Sequence, residues 1–284
     1  MEPFLKLKVG DGNEFDITDA VPGLTYLGQD DASSSPQFTN NYQDTAGKDG
    51  SFFISQIFAR RTISEKFLLE FSNWEDFQLA KHEIYKLFGQ RKLVRVRTDV
   101  NDAKVYFGYP TPFDIAPGSP GANYANFTIP FDLPKPYRYS MYRSDSPYTF
   151  DQDGWQFGMN LPDNSADVGY HFTSNSFRVY NASDIKVDPY YQSHDLRIIM
   201  KFSGNYLEIK NTTTNTSWKF NEESDGNHTI IWDGQSLTTT LDRNQVNAKT
   251  DFGYISLDPG WNSIECTGAN SVDITFSFPF IYLS

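Results

Sequence analysis

The sequence has little of what covalent or metal chemistry requires. Its 284 residues include one cysteine, Cys266, and four histidines, His82, His171, His194 and His228. A single cysteine cannot form an internal disulfide, which argues against a small disulfide-bonded secreted scaffold. No two histidines have the spacing of a zinc motif. The sequence therefore predicts no metal site and no cofactor.

Long hydrophobic runs and a leader segment are also lacking. No stretch approaches the roughly 18 apolar residues that a membrane span requires. The start, MEPFLKLKVGDG, has no basic segment followed by an apolar run, so no signal peptide is predicted. We therefore expect a soluble chain that is made in a reducing cytoplasm and has no membrane partner.

Catalytic motifs are missing as well. There is no G-x-S-x-G nucleophile elbow, and GKDGS at Gly47 lacks the first glycine of a phosphate loop. DQDGW at Asp151 resembles the start of a calcium loop, but the later ligands do not follow. The two carboxylates of a glycosidase are defined by their distance in space and not by a sequence motif, so a glycosidase stays an alternative. The adjacent acids Asp30-Asp31 and Glu222-Glu223 lie in loop-like stretches, where solvated acids are common. We expect no catalytic residues and no enzymatic activity.

Positive charge is scarce, above all in the second half. The net charge is −12; residues 1–139 hold 15 Lys and Arg against 18 Asp and Glu, and residues 140–284 hold 9 against 18. Specific nucleic-acid binding is not expected, because it needs clustered positive charge. The one basic stretch, QRKLVRVR, contains Arg91, Lys92, Arg95 and Arg97. It is either a patch for an acidic partner or the solvated face of a strand, and the strand is favoured.

What the sequence does have is the alternation of apolar and polar residues that is typical of β-strands. In the second half, short strands recur about every 8–12 residues with polar turns between them, which predicts an antiparallel sandwich. The first half also alternates around residues 63–71 and 127–133. SMYRSDSPYTF, at residues 140–150, lacks periodicity. We predict a mainly β protein with domains at residues 1–140 and 141–284, the first a β-sandwich with one α-helix.

That helix is predicted at about residues 73–88. Apolar residues recur there at spacings of three and four: Trp74, Phe77, Ala80, Ile84, Leu87 and Phe88. Ser72 and Glu75 fit a capping box at its start, and Gly89 fits a left-handed residue at its end. Because the neighbouring stretches read as strands, the apolar stripe is expected to cover a face or an edge of a sheet.

Residues 28–50, GQDDASSSPQFTNNYQDTAGKDG, are too polar to form a core and too long for an ordinary connection. We predict a long loop or arm. Its apolar residues Phe38 and Tyr42 are candidates for docking on a neighbouring subunit. The alternative is a disordered surface loop without a role.

Four of the five tryptophans lie in the second half. Trp218 and Trp232 are in phase with apolar neighbours and are predicted to fill the core. Trp155 and Trp261 flank turns, so they are candidates for contact with a sugar or a protein.

Three stretches of the first 140 residues, in this order, resemble the distal tail proteins of siphophages: GKDGSFF, RRTISEKFLLEF leading into the helix, and PFDLPKPYRYS. The second half, which ends PGWNSIECTGANSVDITFSF, is similar to the galectin-like C-terminal domain of that family. It lacks the His-Asn-Arg and Trp-Glu cluster of true galectins, so the similarity does not imply sugar binding.

The resemblance implies a structural virion protein at the distal end of the phage tail, assembled in the host cytoplasm. It implies a homohexameric ring formed by the first domain, with the helix as a brace and with DNA passing through the ring. The partners implied are the major tail tube protein, a tail-tip or lysin protein, and a receptor-binding or baseplate protein. Two alternatives remain open: a carbohydrate-binding module that acts in attachment to the host surface, and a sandwich-fold glycosidase.

Overall fold

The computed structural model describes residues 3–30, 35–148 and 154–284. Asp31 of the adjacent acids and Asp151 of the calcium-like stretch lie outside these residues. Contacts divide the chain into a first unit, Met1–Arg138 with Leu283–Ser284, and a second unit, Tyr139–Tyr282. Whether residues 1–140 and 141–284 are independent domains stays a prediction.

The first unit is built on an antiparallel sheet with the strand order β2-β1-β7-β8-β9-β6-β3. The alternation predicted for β6 and β9 is present, because every second side chain of each strand is buried. The elements are β1 (Leu5–Val9), β2 (Phe15–Asp16), α1 (Ile17–Ala20), β3 (Leu24–Gln29), β4 (Phe38–Asp44), β5 (Ser51–Phe58), β6 (Arg61–Glu70), α2 (Trp74–Phe88), β7 (Val94–Thr98), β8 (Asn101–Pro110) and β9 (Tyr124–Leu133).

Helix α2 packs on the core of this unit through Phe77, Ile84 and Phe88. The predicted position is correct to within one residue, but both predicted ends were wrong in detail. Asn73 caps the helix, its Oδ1 accepting from Asp76 N at 2.9 Å. The side chain of Asp76 in turn accepts from the amide of Ser72 at 2.9 Å. Gly89 has φ −76 and is not left-handed; Trp74 and Leu79 are exposed.

The prediction of a long loop or arm at residues 28–50 was wrong for residues 28–29 and 38–44, which are in strands. β3 continues to Gln29, and Phe38–Asp44 forms β4, which pairs antiparallel with β5. Residues 31–34 are outside the described chain. The polar composition misled the prediction because β4 buries none of its side chains and is held by its neighbouring strand.

The second unit contains a second antiparallel sheet, with the order β11-β19-β13-β16-β17-β18; β12 adds to β19, and β14 and β15 add to β13. The elements are β10 (Arg138–Arg143), β11 (His171–Phe172), β12 (Ser176–Asn181), α3 (Pro189–Gln192), β13 (Arg197–Asn211), β14 (Thr216–Phe220), β15 (Ser224–Asp225), β16 (Ile230–Asp233), β17 (Thr238–Leu241), β18 (Asn244–Gln245), β19 (Gly260–Ser277) and β20 (Pro279–Tyr282), with two short 3-10 turns at Ser165–Asp167 and Asn247–Lys249.

Trp218 and Trp232 are buried in this unit, as predicted. The apolar residues that alternate towards the end of the chain share the buried face of β19 and continue into β20. The prediction of a mainly β chain with antiparallel sheets is confirmed. Within the described ranges, no helix is long and apolar enough to cross a membrane.

Candidate assembly surfaces

Strands β4 and β5 form a two-stranded hairpin that is not part of either large sheet. Phe38 pairs with Phe58 and Tyr42 with Phe53, and a β-bulge between these pairs leaves Ile54 without a partner. The paired rings touch, with centroids 4.9 Å and 5.9 Å apart. Phe38 and Tyr42, four residues apart, lie on one face of β4, and the bulge at Ile54 brings their partners Phe58 and Phe53 to that same face.

The opposite face of the hairpin also carries apolar side chains, Phe52 and Ile57. Six large side chains each leave between 49% and 60% of their surface exposed: Phe38, Tyr42, Phe52, Phe53, Ile54 and Ile57. Polar bonds between the strands fix the hairpin, among them Asn41 Nδ2 to Ser55 Oγ at 3.0 Å and Gln56 Nε2 to Asn40 Oδ1 at 2.9 Å. An isolated two-stranded hairpin is marginally stable in water, so this one is suited to packing on another surface.

The sequence analysis named Phe38 and Tyr42 as candidates but not the apolar residues of β5. Those residues lie in the stretch SFFISQIF. Its signal was that apolar residues occur at both odd and even positions, so both faces of the strand are apolar. In a sheet with one solvated face, such residues alternate with polar ones.

The hairpin is anchored where it meets the sheet. The Phe58 ring lies against Tyr137, with centroids 5.5 Å apart. The amide of Ala59 donates to the carbonyl of Gln37 at 2.9 Å and closes the base. Next to Tyr137, the Arg138 guanidinium stacks on the Tyr106 ring, 5.2 Å from its centroid.

A buried acid completes this anchor. Glu65 on β6 is fully buried, and its two oxygens accept from the hydroxyls of Tyr26 at 2.6 Å and Tyr106 at 2.7 Å. Burial raises the pKa of Glu65, while the two hydroxyls and the charge of Arg138 act to lower it. Glu65 cannot serve as a catalytic acid, because no substrate reaches it and both oxygens are already bonded.

The second half of the basic stretch lies on β7, and the strand interpretation accounts for Arg95 and Arg97. Val94 and Val96 are buried. Arg95 and Arg97 each lie 3.2 Å from Glu14 Oε1, and Arg97 also pairs with Asp102 at 2.6 Å. These two guanidinium groups are therefore neutralised within the sheet.

In the second unit, Trp261 on β19 is 45% exposed. The guanidinium of Arg178 lies over its ring, 4.7 Å from the centroid, and the ring of Tyr180 is 5.0 Å away. A sugar stacks on a free ring face, whereas Arg178 already lies on this one. Exposed Trp, Tyr and Arg together are the residue types that dominate protein–protein contacts.

Trp155 lies close to this group and is half-buried. Its Nε1 donates to the carbonyl of Leu161 at 3.4 Å, and its ring contacts Phe157, which is 88% exposed. Tyr180, whose ring contacts Trp261, also donates from its hydroxyl to the carbonyl of Asn160 at 2.8 Å. Asn160 directly precedes Leu161, to which Trp155 is bonded. The structure thus brings Trp155 and Trp261 to one region of the second unit.

In the part of the chain that the structure describes, no three His, Cys, Asp or Glu side chains form a group that could hold a metal ion. His171 and His228 are each paired with one aspartate, Asp273 and Asp242, at 2.9 Å and 2.6 Å. Glu222 is exposed and paired with Lys249.

Residues 11–133 match the model of one protein family, described as a phage tail protein RIFT-related domain. The match begins in the turn after β1 and ends with β9, so it includes the hairpin and α2. Comparison with curated proteins finds no match.

The whole chain is similar in structure to the Dit protein of phage SPP1, described as a paradigm of the hub adsorption apparatus in phages that infect Gram-positive bacteria. The two are 15% identical, the similarity covers 97% of this chain and 99% of that one, and the TM-score is 0.66. A chain of the phage P2 baseplate in its activated conformation is 12% identical, with 98% of each chain covered and a TM-score of 0.49. The domain match over residues 11–133 and the fold shared with SPP1 Dit agree with the resemblance to siphophage distal tail proteins.

Proposed function

We propose that this chain is the distal tail hub of a siphophage, a structural protein that forms a hexameric ring. In this role it joins the tail tube to the tail-tip or baseplate proteins and to receptor-binding proteins. The phage tail domain at residues 11–133 and the fold shared with SPP1 Dit support a structural role in a phage tail or baseplate. The observation that carries the ring is the exposed hairpin.

The apolar surface of the hairpin favours assembly. Full burial of one large apolar side chain contributes about 1.5–3 kcal/mol. The exposed halves of the six hairpin side chains would then contribute roughly 5–9 kcal/mol, before the entropy cost of association. A dissociation constant of 1 μM corresponds to about 8 kcal/mol after an association cost of about 4–15 kcal/mol has been met. The hairpin therefore contributes to the contact, and further buried surface is needed to complete it.

A second copy of the chain is the occupant we favour for this contact. A hairpin that docks on a different patch of the next copy makes a head-to-tail interface, and such interfaces close into rings when the rotation allows it. The same geometry repeated six times gives the hexamer.

The second unit then remains available for other tail proteins. Its Trp261, Tyr180 and Arg178 form the kind of exposed group that anchors protein partners. We assign this group to a baseplate or receptor-binding protein. Residues 140–284, which include most of the second unit, have a net charge of −9. This charge keeps the unit from adhering to the DNA that passes through a tail, because like charges repel.

The two alternatives have less support. A carbohydrate-binding module would use Trp155 or Trp261, but Arg178 lies over Trp261 and Trp155 is half-buried. A glycosidase needs two carboxyl groups that a substrate can reach. Glu65, the buried acid on β6, is closed to substrate by its two tyrosine partners. Neither alternative gives the hairpin a role.

Mass in solution tests the ring. Light scattering coupled to gel filtration should give about 195 kDa, six times the 32.5 kDa chain. A chain that stays monomeric at high micromolar concentration would contradict the proposal.

Removal of the hairpin tests what holds the ring. Because Gln37 and Ala59 are already bonded at the base, residues 38–58 can be replaced by a short Gly-Ser linker. The circular dichroism of the rest should be kept and the hexamer lost. The matched control is Thr39→Ser with Gln43→Asn, which changes exposed polar residues of the same hairpin and should leave the mass unchanged.

A further inference from the structure

We propose that the hairpin of one copy docks in a specific cleft of the next, formed where α2 ends and the β8–β9 connection begins. We name it the α2 cleft; it is lined mainly by Tyr85, Phe88, Arg91, Tyr109, Pro110 and Phe113. The inference rests on the proposed self-assembly and adds the surface that receives the hairpin.

The α2 cleft has the size and chemistry for aromatic side chains. Its volume is about 430 Å³, within the range of about 300–1,000 Å³ that is usual for binding pockets. Tyr109 at its rim is 44% exposed. The rings of Tyr85 and Phe88 lie 5.4 Å and 6.0 Å from Phe113, so the wall is aromatic like the hairpin itself.

The cleft is also held in shape. The Tyr85 hydroxyl donates to the carbonyl of Phe113 at 3.3 Å, and the amide of Thr111 donates to the carbonyl of Pro130 at 2.9 Å. A preformed cleft costs little conformational entropy when it is filled. Its aromatic wall is therefore ready to receive a side chain such as Phe53.

The charges nearby distinguish the α2 cleft from another large cleft in the described part of the first unit. The hairpin carries Asp44 and Asp49 against Lys48. The exposed Arg91 lies at the α2 cleft, and Lys92 follows it. The two signs are complementary, which favours docking here.

The second cleft lies at the start of α2 and is lined by Trp74, Pro117, Ser119 and Pro120 among others. The first turn of the helix beside it carries Glu75 and Asp76. These acids have the same sign as the hairpin, so this cleft is the poorer acceptor. It serves as the control surface.

Disulfide cross-linking of the full chain tests the pairing. The only native thiol, Cys266, is buried, and burial raises its pKa to about 12, so it does not compete under mild oxidation. Phe53→Cys combined with Thr111→Cys should give a ladder of linked chains up to six on a denaturing gel. Phe53→Cys combined with Ser119→Cys, in the second cleft, should give no ladder.

Side-chain removal gives an independent measurement. Tyr109→Ala should raise the dissociation constant of the assembly at least tenfold. Trp74→Ala removes an exposed aromatic side chain of the second cleft and should change it less than twofold. Circular dichroism of both variants checks that the fold is kept.

The outcomes separate this inference from the proposed ring. A hexamer that cross-links through Ser119→Cys would overturn the α2 cleft as the acceptor. So would a hexamer that gives no ladder through Thr111→Cys and keeps its dissociation constant in Tyr109→Ala. Both results would leave the proposed ring intact. A chain that never associates would overturn both.

Discussion

The Tyr106 hydroxyl donates a hydrogen bond to Oε1 of Glu65 at 2.7 Å, deep within the first unit. Tyr26 on β3 makes the equivalent bond to Oε2. This arrangement places an acid in the buried interior of the first unit, where the charge of Arg138 also acts on it. It makes the stability of the first unit depend on pH.

The pH dependence has a definite sign. Burial raises the pKa of Glu65 in the folded state above its value of about 4.3 in an unfolded chain. At pH values between the unfolded-state pKa and the folded-state pKa of Glu65, the folded state binds more protons than the unfolded state. The free energy of unfolding therefore falls as pH rises through this range. Glu65→Gln removes this fall. Relative to the natural chain, the variant should gain stability as pH rises from about 4 towards neutrality.

Denaturant unfolding at several pH values measures this difference. Glu70→Gln is the matched control, because Glu70 lies on the same strand and is exposed. A difference between Glu65→Gln and the natural chain that stays constant from pH 4 to pH 8 would contradict the prediction.

The start of α2 gives a second prediction. Asn73→Ala should lower the free energy of unfolding by about 1 kcal/mol, because the Asn73 side chain caps the amide of Asp76. Ser72→Ala should change it little, since the structure gives the capping role to Asn73. Thermal unfolding of the two variants compares them directly, and a larger loss for Ser72→Ala would restore the capping box expected from the sequence.

The helix was predictable because its signals are local. Residues three and four apart define the buried face, and Phe77, Ile84 and Phe88 lie on it. The same holds for Trp218 and Trp232, which occupy buried positions in strands where buried and less buried side chains alternate. In both cases the sequence within one element determines which side is buried.

The hairpin was not predictable in the same way. FTNNYQD has no buried face, so β4 exists only because β5 pairs with it through bonds such as Asn41 to Ser55. Such pairing joins residues about fourteen apart and cannot be read from the period of either strand. The position of Arg178 over Trp261 was equally hidden, because it results from the pairing of β12 with β19.

Removal of metal should have no effect on stability. Across the described ranges, no cluster of ligating side chains could hold an ion, so we expect the same melting temperature with and without a chelator. Differential scanning fluorimetry with excess EDTA makes the measurement. A fall of many degrees would reveal a structural ion, because bound metal contributes directly to folding.

The last two residues give the final prediction, which concerns the independence of the two units. Leu283 and Ser284 belong to the first unit. There the carbonyl of Leu283 accepts from Arg61 at 3.2 Å, and that of Ser284 accepts from Lys104 at 3.0 Å. Arg61 and Lys104 are both buried. Deletion of the two residues should therefore destabilise the first unit by about 1–3 kcal/mol, the cost of removing a partner from a buried polar group.

The second unit should be less affected by that deletion, since both carbonyls bond to residues of the first unit. Calorimetry should show one transition moved to lower temperature and one moved less, the latter identified by melting residues 139–282 expressed alone. Leu283→Ala is the matched control: it keeps the backbone carbonyl and should move the first transition less. If both transitions move together after the deletion, or if residues 139–282 show no cooperative transition, the two units do not fold independently.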